Sequence, residues 1–356
     1  MKYTKEELFL IWIDSFFELE YRKKAALFAL YRGEKFSDFA KSPEVKREIG
    51  AEDAKFLLNF SRREYMEDVL ETLDGGNVVC ITRASGDYPQ DLFDVPYPPL
   101  VLYAKGDINL LKGRKFSVVG SRKSIPLAIA KAEEFAAALT EAGFAVVTGL
   151  ADGADAAAAK GALKSGKIIS VLAGGFNHVY PACNAGLFRE IVAKGLALSE
   201  YPPEIKTERY HFPVRNRIIS ALGEGLLVIS AGKRSGTAYT AGYTEALSRQ
   251  IFALPYNVNV PSGEGCNEYI RKGAVLTVRP EDILDFYNIE RKETPAVSMT
   301  EEEEEIYAVI KAEGEIHIDV IAARTGKKTY ELMPALGMLE IKKLIIRQAG
   351  NAYSAV

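Results

Sequence analysis

Two short segments of the sequence carry the residue types that bind phosphate groups. Residues 120–124 have the sequence GSRKS, and residues 231–237 have the sequence AGKRSGT. Glycine lets the backbone approach a ligand closely, hydroxyl groups donate hydrogen bonds, and the planar guanidinium group of arginine matches phosphate oxygens. Each segment lies between an apolar run and a helical pattern, and the amino end of a helix favours anions. Both segments predict an anion site, although a surface turn with a helix cap is an alternative for residues 120–124.

A third segment, residues 211–217 with the sequence HFPVRNR, places an aromatic ring beside two arginines at a predicted helix start. This combination suits a nucleotide strand, because a base can stack on the ring while phosphates meet the guanidinium groups. Residues 201–235 hold six basic and three acidic residues, a net charge of +3 in a chain whose formal net charge is −3. In the alternative interpretation Phe212 is a hydrophobic staple, and Arg215 and Arg217 pair with acids.

The acidic and histidine residues near these segments form no obvious catalytic set. Residues 148–155 have the sequence TGLADGAD, so Asp152 or Asp155 either caps the following helix or contacts a ligand. A nicotinamide cofactor is not expected, because the first strand is followed by GSRKS rather than by G-x-G-x-x-G. His178 has no cysteine or acidic partner nearby in sequence, and we expect it to be structural. We therefore expect no cofactor and no metal.

Six short apolar runs position these segments, and helical patterns separate the runs. The apolar runs are residues 116–120, 144–149, 167–175, 196–201, 225–230 and 250–255. The helical stretches between them, rich in alanine and leucine, are residues 126–142, 153–165, 182–194, 212–222 and 237–249. This alternation predicts an α/β domain built on an extended, Rossmann-like, doubly wound and mostly parallel sheet. Because ligands bind at the carboxyl ends of the strands in such sheets, we expect the segments above to share one groove.

The sequence on either side of this region predicts two further domains. Residues 1–74 show aromatic residues at helical spacing among many lysines and glutamates, which predicts an N-terminal helical (SAM-like) domain. Residues 75–287 form the Rossmann-like domain, and the polar residues 288–299, which include Pro295, form a linker. Residues 300–356 contain three helical patterns and a hairpin, which predicts a C-terminal winged-helix-like domain.

Length and composition restrict the class of protein. The chain has 356 residues, of which 48% are hydrophobic and 26% charged, as is typical of a folded protein with two or three domains. No stretch approaches the roughly 18 apolar residues of a membrane span, and the first residues lack a signal-peptide cleavage site. Three cysteines far apart in sequence suggest neither a zinc site nor a disulfide framework. We therefore expect a cytoplasmic protein with no membrane partner.

Eight blocks of the sequence, in order, resemble the DNA-processing protein A family, which is also called DprA or Smf. The blocks are VVGSRKS, TGLADGADAAAA, VLAGGFNHVYPACN, SEYPP, HFPVRNRIIS, AGKRSGTAYTA, SRQIFALP and GCNEYIRKGA. The sequence departs from the family pattern at Ala158-Ala159, where Ala-His is usual, at Ser230, where an acid is usual, and at Tyr256, where glycine is usual. These departures concern the fine shape of the groove rather than its basic residues.

The resemblance implies a protein of natural transformation and recombination that binds single-stranded DNA. Proteins of this family form dimers, protect incoming strands and help to load the RecA recombinase, and the family is not known for catalysis. We therefore expect single-stranded DNA and RecA as partners, a homodimer and no enzymatic activity. With Lys123 and Thr237 added from the two loops, the residues expected to bind DNA are Gly120, Ser121, Arg122, Lys123, Phe212, Arg215, Asn216, Arg217, Lys233, Ser235, Gly236 and Thr237.

Two other functions are compatible with the same fold. A phosphoribohydrolase-like nucleotide enzyme would carry a Gly-Gly-x-Gly-Thr-x-x-Glu motif, but Thr240 stands where the catalytic acid should be. A nucleotide-sensing regulator would bind a small phosphorylated ligand in the crevice and contact a protein or a duplex through the C-terminal domain. The predicted recognition helix of that domain, residues 328–343, has a thin basic face for a groove reader, so both kinds of contact stay open.

Overall fold

The computed structural model describes residues 2–233, 235–289, 298–342 and 344–355. The chain forms two compact units that divide between residues 290 and 291. The first unit combines N-terminal helices with an α/β sheet, and the second contains three helices and a small antiparallel sheet. Most of the predicted linker at residues 288–299 lies outside the described residues.

From residue 2, where the described part of the chain begins, to residue 75, six helices pack around aromatic side chains. Helix α1 (Lys5–Asp14) begins with a capping box, in which the Glu7 amide donates to Thr4 Oγ1 and the Thr4 amide donates to the Glu7 carboxylate. The indole nitrogen of Trp12 donates to the Phe60 carbonyl at 2.9 Å. These helices share one hydrophobic cluster with a face of the sheet, and the domain boundary after residue 74 stays a prediction. The other helices are α2 (Tyr21–Leu30), α3 (Phe36–Lys41), α4 (Pro43–Ile49), α5 (Ala51–Asn59) and α6 (Arg63–Gly75).

Among the residues that the structure describes, nine short strands form one sheet. They are β1 (Val79–Thr82), β2 (Val101–Gly106), β3 (Lys115–Val119), β4 (Ala145–Thr148), β5 (Ile168–Val171), β6 (Leu196–Ser199), β7 (Gly225–Val228), β8 (Gln250–Ala253) and β9 (Val275–Leu276). Their order in the sheet is β1-β2-β6-β5-β4-β3-β7-β8-β9. The β1–β2 and β2–β6 pairs are antiparallel and the other pairs are parallel. The predicted fold class, an extended and mostly parallel Rossmann-like sheet, is confirmed.

The direction of strand addition reverses at β3. The chain first adds β4, β5 and β6 on one side of β3, and it then crosses back to place β7 on the other side, with Ser117 opposite Leu226. In open α/β sheets a crevice forms at the carboxyl ends of the strands at such a switch point, and ligands bind there. Residues 120–124 follow β3 and residues 231–237 follow β7, so the topology brings the two predicted anion segments to one crevice.

In the described part of the first unit, seven helices cover both faces of the sheet. One face packs against the N-terminal helices and the helices that follow β3, β4 and β5, and the other face packs against the helices that flank β7 and β8. The first two covering helices pack closely because Gly161 has no side chain; a Cβ there would overlap the carbonyl of Glu133. The covering helices are α7 (Pro126–Glu141), α8 (Ala154–Leu163), α9 (Ala185–Lys194), α10 (His211–Leu222), α11 (Thr237–Ala246), α12 (Glu264–Arg271) and α13 (Glu281–Phe286).

The second unit has its own small core. Its apolar cluster includes Ile306, Ile321, Leu336 and Tyr353, all nearly inaccessible to solvent. The order helix, strand, helix, helix and hairpin is that of a winged helix, as the sequence predicts. The elements are α14 (Glu301–Glu313), β10 (Glu315–His317), α15 (Ile318–Thr325), α16 (Thr329–Ile341), β11 (Ile345–Arg347) and β12 (Ala352–Ala355), with sheet order β10-β12-β11.

Candidate nucleic-acid interface

A groove of about 380 Å³ lies at the switch point, along the carboxyl ends of β3 and β7. Its walls are the segment after β3 and the amino-terminal turns of α10 and α11. We call it the strand-end groove. Two of the predicted site residues, Arg217 and Lys233, lie outside it. The predicted residues that line it are Gly120, Ser121, Arg122, Lys123, Phe212, Arg215, Asn216, Ser235, Gly236 and Thr237.

The guanidinium group of Arg122 lies over aromatic rings at the edge of the groove. Its central carbon is 4.8 Å from the centre of the Phe212 ring and 5.9 Å from the centre of the Tyr180 ring. Arg122 is exposed and forms no ion pair with any residue that the structure describes. Stacking on a ring holds the cation in place and leaves its N–H donors free for an anion. Tyr180, which is 51% exposed, joins this cluster only through the fold, so sequence spacing does not indicate it.

Ser230 fixes the conformation of the segment after β3. Its Oγ accepts a hydrogen bond from the Ser121 amide at 3.0 Å and lies 2.6 Å from Ser124 Oγ. The Ser121 hydroxyl in turn accepts from the Lys123 amide at 3.1 Å. A hydroxyl at residue 230 can donate to Ser124 while it accepts from Ser121, which a carboxylate cannot do. Ser230 therefore holds the GSRKS turn through the Ser121 amide and the Ser124 hydroxyl.

The carboxylate of Asp155 joins two strand ends beneath the groove. Oδ1 accepts from the Gly120 amide at 3.1 Å, and Oδ2 accepts from the Gly149 amide at 3.2 Å. Burial raises the pKa of this carboxyl, while the charge of Arg215 and the backbone donors oppose the rise. The sequence allows Asp155 to cap a helix or to contact a ligand. In the structure its carboxylate instead joins the turns after β3 and β4 by hydrogen bonds.

Arg215 lies in the floor of the groove and is only 4% exposed. Its Nη1 donates to the Gly149 carbonyl at 2.8 Å and to the Val171 carbonyl, and its Nε donates to Asn216 Oδ1 at 3.0 Å. Burial lowers the pKa of this guanidinium to about 10, so the group stays charged at neutral pH. Arg215 therefore ties α10 to the ends of β4 and β5.

Arg217 lies outside the groove and is paired with an acid. Its guanidinium forms a two-pronged ion pair with Glu200, with a shortest distance of 2.6 Å, and it also donates to the carbonyls of Pro96 and Tyr97. The two side chains are 5% and 13% exposed. The ion-pair interpretation that the sequence left open therefore describes Arg217, and the structure gives it no path to a phosphate in the groove. The physical reason is helix geometry, because residues 215 and 217 point to different sides of α10.

The segment after β7 is divided between two cavities. Residues 235–237 line the strand-end groove. Lys233 lines a separate cavity of about 610 Å³ between α11 and α12, together with Glu245 and Glu268. Its side chain is exposed and forms no ion pair with the described residues, so it adds charge beside the groove. Arg234 lies outside the described residues.

The fold and the groove define a class of protein: a Rossmann-like α/β protein with a groove lined by cationic, hydroxyl and glycine residues at its switch point and a C-terminal winged-helix unit. Comparison with known proteins identifies the family. Residues 79–288 match the family described as DNA recombination-mediator protein A, and residues 290–351 match the DprA winged helix domain. The chain belongs to the DNA recombination-mediator protein A (DprA) family.

Relatives with curated names and solved structures resemble most of the chain. The putative DNA processing protein DprA of Mycobacterium tuberculosis is 33% identical over 326 residues, which cover 88% of this chain and 82% of that protein. DNA processing protein DprA of Bacillus subtilis is 38% identical over 207 residues, 58% of this chain and 70% of that protein. The crystal structure of DprA from Streptococcus pneumoniae superimposes with a TM-score of 0.66 at 28% identity, and covers 82% of this chain and 100% of that one. The DprA of Helicobacter pylori, solved for its single-stranded DNA binding mode, gives a TM-score of 0.55 at 27% identity, with 59% of this chain and 95% of that one covered.

Two further properties concern the described residues as a whole. None of their helices is long and apolar enough to cross a lipid bilayer. Their histidine, cysteine, aspartate and glutamate side chains form no cluster of three or more that could hold a metal ion.

Proposed function

We propose that the strand-end groove binds single-stranded DNA. The observation that carries the proposal is the Arg122–Phe212 stack, with 4.8 Å between the guanidinium carbon and the ring centre, at the mouth of a groove lined by glycine and hydroxyl groups. A base can stack on the partly exposed ring while the guanidinium group meets the adjacent phosphate. The family and the single-stranded DNA binding studied in the H. pylori relative support the same conclusion.

Binding should be mainly electrostatic and nearly independent of sequence. Arg122, Lys123 and Lys233 are exposed cations at or beside the groove, and none forms an ion pair with a described residue. If each neutralises one phosphate, the logarithm of the association constant should fall against the logarithm of salt concentration with a slope of about −2. A strand bound through its backbone and base faces needs no particular base sequence.

Fluorescence anisotropy with a labelled oligo-dT tests the proposal. Arg122→Ala should weaken binding and flatten the salt dependence. Arg63→Ala is the control, because the Arg63 side chain is 87% exposed on α6 and does not line the groove. Binding of duplex DNA as tight as that of oligo-dT, or an Arg122→Ala affinity equal to that of the wild type, would overturn the proposal.

We further propose that the protein acts in natural transformation and recombination in the cytoplasm, where it protects incoming single strands and helps RecA to load onto them. The support is the family resemblance; the free thiols of Cys80, Cys183 and Cys266 also suit a reducing compartment. Nuclease protection of a bound strand, and RecA filament formation on strands coated with a single-strand-binding protein, test the two activities. Equal digestion and equal filament growth with and without the protein would contradict them.

The expected homodimer has a candidate surface at the edge of the large sheet. Strand β9 is the last strand, and the side chains of Leu276 and Val278 are each 51% exposed there. An unpaired apolar edge is a template for strand pairing. We propose that two copies pair through this edge. Sedimentation should show a dimer for the wild type and a monomer for Leu276→Lys; a dimer that survives the substitution would place the contact elsewhere.

We propose that the groove is not catalytic. Asp155 is the carboxylate among its described lining residues, and it accepts hydrogen bonds from two backbone amides. Thr240, which stands where a phosphoribohydrolase would need an acid, lies in α11 and lines the groove. The proposal would be overturned if the wild-type protein released free base from a nucleoside monophosphate and Asp155→Asn did not. That result would favour the nucleotide enzyme.

For the winged-helix unit a protein contact is better supported than a duplex contact. Lys327 pairs with Glu302 at 2.7 Å, and Lys342 pairs with Glu303 at 2.6 Å, so these cations are neutralised. The recognition helix α16 also exposes apolar side chains, such as Ile341 at 74%. We propose that the unit does not read a DNA groove. Deletion of residues 298–356 should leave duplex and oligo-dT affinities unchanged; a loss of duplex binding would restore the DNA-reading alternative.

A further inference from the structure

A second cavity, of about 430 Å³, lies on the other side of α10 from the strand-end groove. Phe212 and Asn216 face the groove, whereas Val214 and Arg217 line this cavity. The N-terminal helices close its outer side. We call it the tyrosine pocket, because its aromatic lining consists of Phe17, Tyr21, Tyr97, Tyr201, Tyr210 and Tyr243.

The charged groups in the wall of the tyrosine pocket neutralise each other. Lys24 pairs with Asp14 at 3.2 Å, and Arg217 pairs with Glu200 at 2.6 Å; all four side chains are at most 13% exposed. The ammonium group of Lys24 and the guanidinium group of Arg217 are thus already satisfied. The wall therefore offers aromatic surface without net charge. Such a surface favours a flat apolar group, and it does not repel that group when it is carried by a polyanion.

Two of the tyrosine rings are presented to solvent. The side chain of Tyr210 is 62% exposed and that of Tyr97 is 51% exposed. Tyr97 adopts a φ of +55°, in a left-handed region that bulky residues rarely occupy. Arg22 donates to the Tyr97 hydroxyl at 3.2 Å, and it is exposed and forms no ion pair with a described residue. An exposed ring whose hydroxyl is held by a hydrogen bond offers a fixed surface on which a base can stack.

The amino end of α10 connects the two cavities. Tyr210 is the residue before the helix and lines the tyrosine pocket, and Phe212, two residues on, lines the groove. No side chain caps this end of the helix, and its first turn contains no acidic residue. A helix is about 10–12 Å across with its side chains, so a strand that leaves the groove over this end reaches the pocket within a few nucleotides.

We propose that the tyrosine pocket is a second base-stacking site for the same single strand. The proposal rests on the proposed function of the strand-end groove. A strand would place one base against Phe212 and Arg122, cross the amino end of α10 and place a later base between the rings of Tyr97 and Tyr210. The added contact comes from stacking, so it raises affinity without adding a phosphate contact to the salt dependence.

The test compares a short oligo-dT of about 2 nucleotides, which cannot span the 10–12 Å width of a helix and still fill both sites, with a long oligo-dT of about 20 nucleotides. Both are titrated against Tyr97→Ala, Tyr210→Ala and wild-type protein. Each substitution should weaken binding of the long strand roughly 5- to 150-fold, the effect of one lost base stack, and leave short-strand affinity and the salt slope unchanged. Tyr239→Ala is the matched control, because Tyr239 is 55% exposed and lines neither cavity. Equal long-strand affinity in all four proteins would overturn the proposal.

Tyr210→Trp gives a second readout that does not depend on removing a side chain. The sequence has one tryptophan, Trp12, which is fully buried, so a new emission signal reports on residue 210. The long strand should quench this signal and the short strand should not. Quenching by both strands, or by neither, would contradict the proposal. Failure of the proposed function itself is distinguishable, because Arg122→Ala would then leave binding of both strands intact.

Discussion

The guanidinium group of Arg122 and the ring of Phe212 form a cation–π pair, with 4.8 Å between the guanidinium carbon and the ring centre. The pair joins the turn after β3 to the first turn of α10, two segments that the switch-point topology brings together. One residue supplies charge and the other supplies a stacking surface, and each holds the other in place. Loss of Arg122 and loss of Phe212 should therefore differ in their effect on the salt dependence of DNA binding. Their effects on the free energy of binding should not be additive.

A double-mutant cycle on this pair measures that coupling. Arg122→Ala should reduce the magnitude of the salt slope by about 0.7, since one phosphate contact is lost. Phe212→Ala should weaken oligo-dT binding by about 1–3 kcal/mol through lost stacking and leave the slope unchanged. The double variant should lose less than the sum, by about 0.5–1 kcal/mol. Anisotropy titrations at several salt concentrations check all three values, and strict additivity would show that the stack does not position Arg122.

Gly149→Ala should disturb the groove from beneath. A Cβ at this position would lie 2.6 Å from Arg215 Nη2 and 2.8 Å from its central carbon. The guanidinium group cannot move aside freely, because it is buried and donates hydrogen bonds to the carbonyls of Gly149 and Val171. Overpacking of this kind costs about 1–3 kcal/mol in free energy of unfolding, which urea denaturation measures.

The control for this substitution is Gly242→Ala in α11. Nothing lies within 4 Å of a Cβ built there, so the gain in helix propensity should stabilise the protein by about 0.8–1 kcal/mol. The two Gly→Ala changes should thus have opposite signs. A Gly149→Ala protein as stable as the wild type would show that Arg215 is less firmly held than its hydrogen bonds indicate.

The sequence predicts the α/β sheet and much of the groove because these depend on local patterns. Short apolar runs separated by helical stretches specify strands and helices, and a parallel sheet places the turns after its strands at one edge. Which turns adjoin each other depends on strand order. Strands β3 and β7 are neighbours in the sheet, but three strands lie between them along the chain. Their adjacency therefore cannot be predicted from the sequence pattern alone.

Contacts between distant residues are what the sequence does not reveal. The sequence alone does not distinguish Arg215 from Arg217 in the HFPVRNR block. In the structure Arg215 lies in the groove floor, whereas Arg217 pairs with Glu200. The difference arises from the rotation of α10 and from where the end of β6 lies. Tyr180 and Asp155 acquire their roles in the same way, through partners on other turns.

Arg217 and Glu200 should govern stability rather than phosphate binding. Arg217→Met leaves a buried carboxylate without its partner, which costs about 3–5 kcal/mol in free energy of unfolding. Adding Glu200→Gln should recover part of that loss. The oligo-dT salt slope should not change in either variant, because Arg217 lies outside the groove. A slope reduced by about 0.7 in Arg217→Met would instead restore the phosphate contact that the sequence suggests.

His211 should make the fold sensitive to mild acid. The ring is fully buried, stacks on Tyr201 with 4.1 Å between ring centres, and places Nδ1 3.1 Å from the Ala173 carbonyl. Burial lowers the pKa of this histidine below its ordinary 6.5. Between that lowered pKa and 6.5 the unfolded chain binds more protons than the native state, so the free energy of unfolding falls as the pH falls through this window.

His211→Asn should therefore flatten the pH dependence of stability, even if its stability at pH 7.5 is lower. His178→Asn is the comparison variant, because it makes the same substitution at an exposed histidine. Urea unfolding of the three proteins at a series of pH values from 7.5 to about 5 measures the difference. An unaltered acid response in His211→Asn would mean that the ring is protonated as readily in the native protein as in the unfolded chain. The stack on Tyr201 would then have to accommodate an imidazolium ion, and the start of α10 would be held by a charged group rather than by a neutral one.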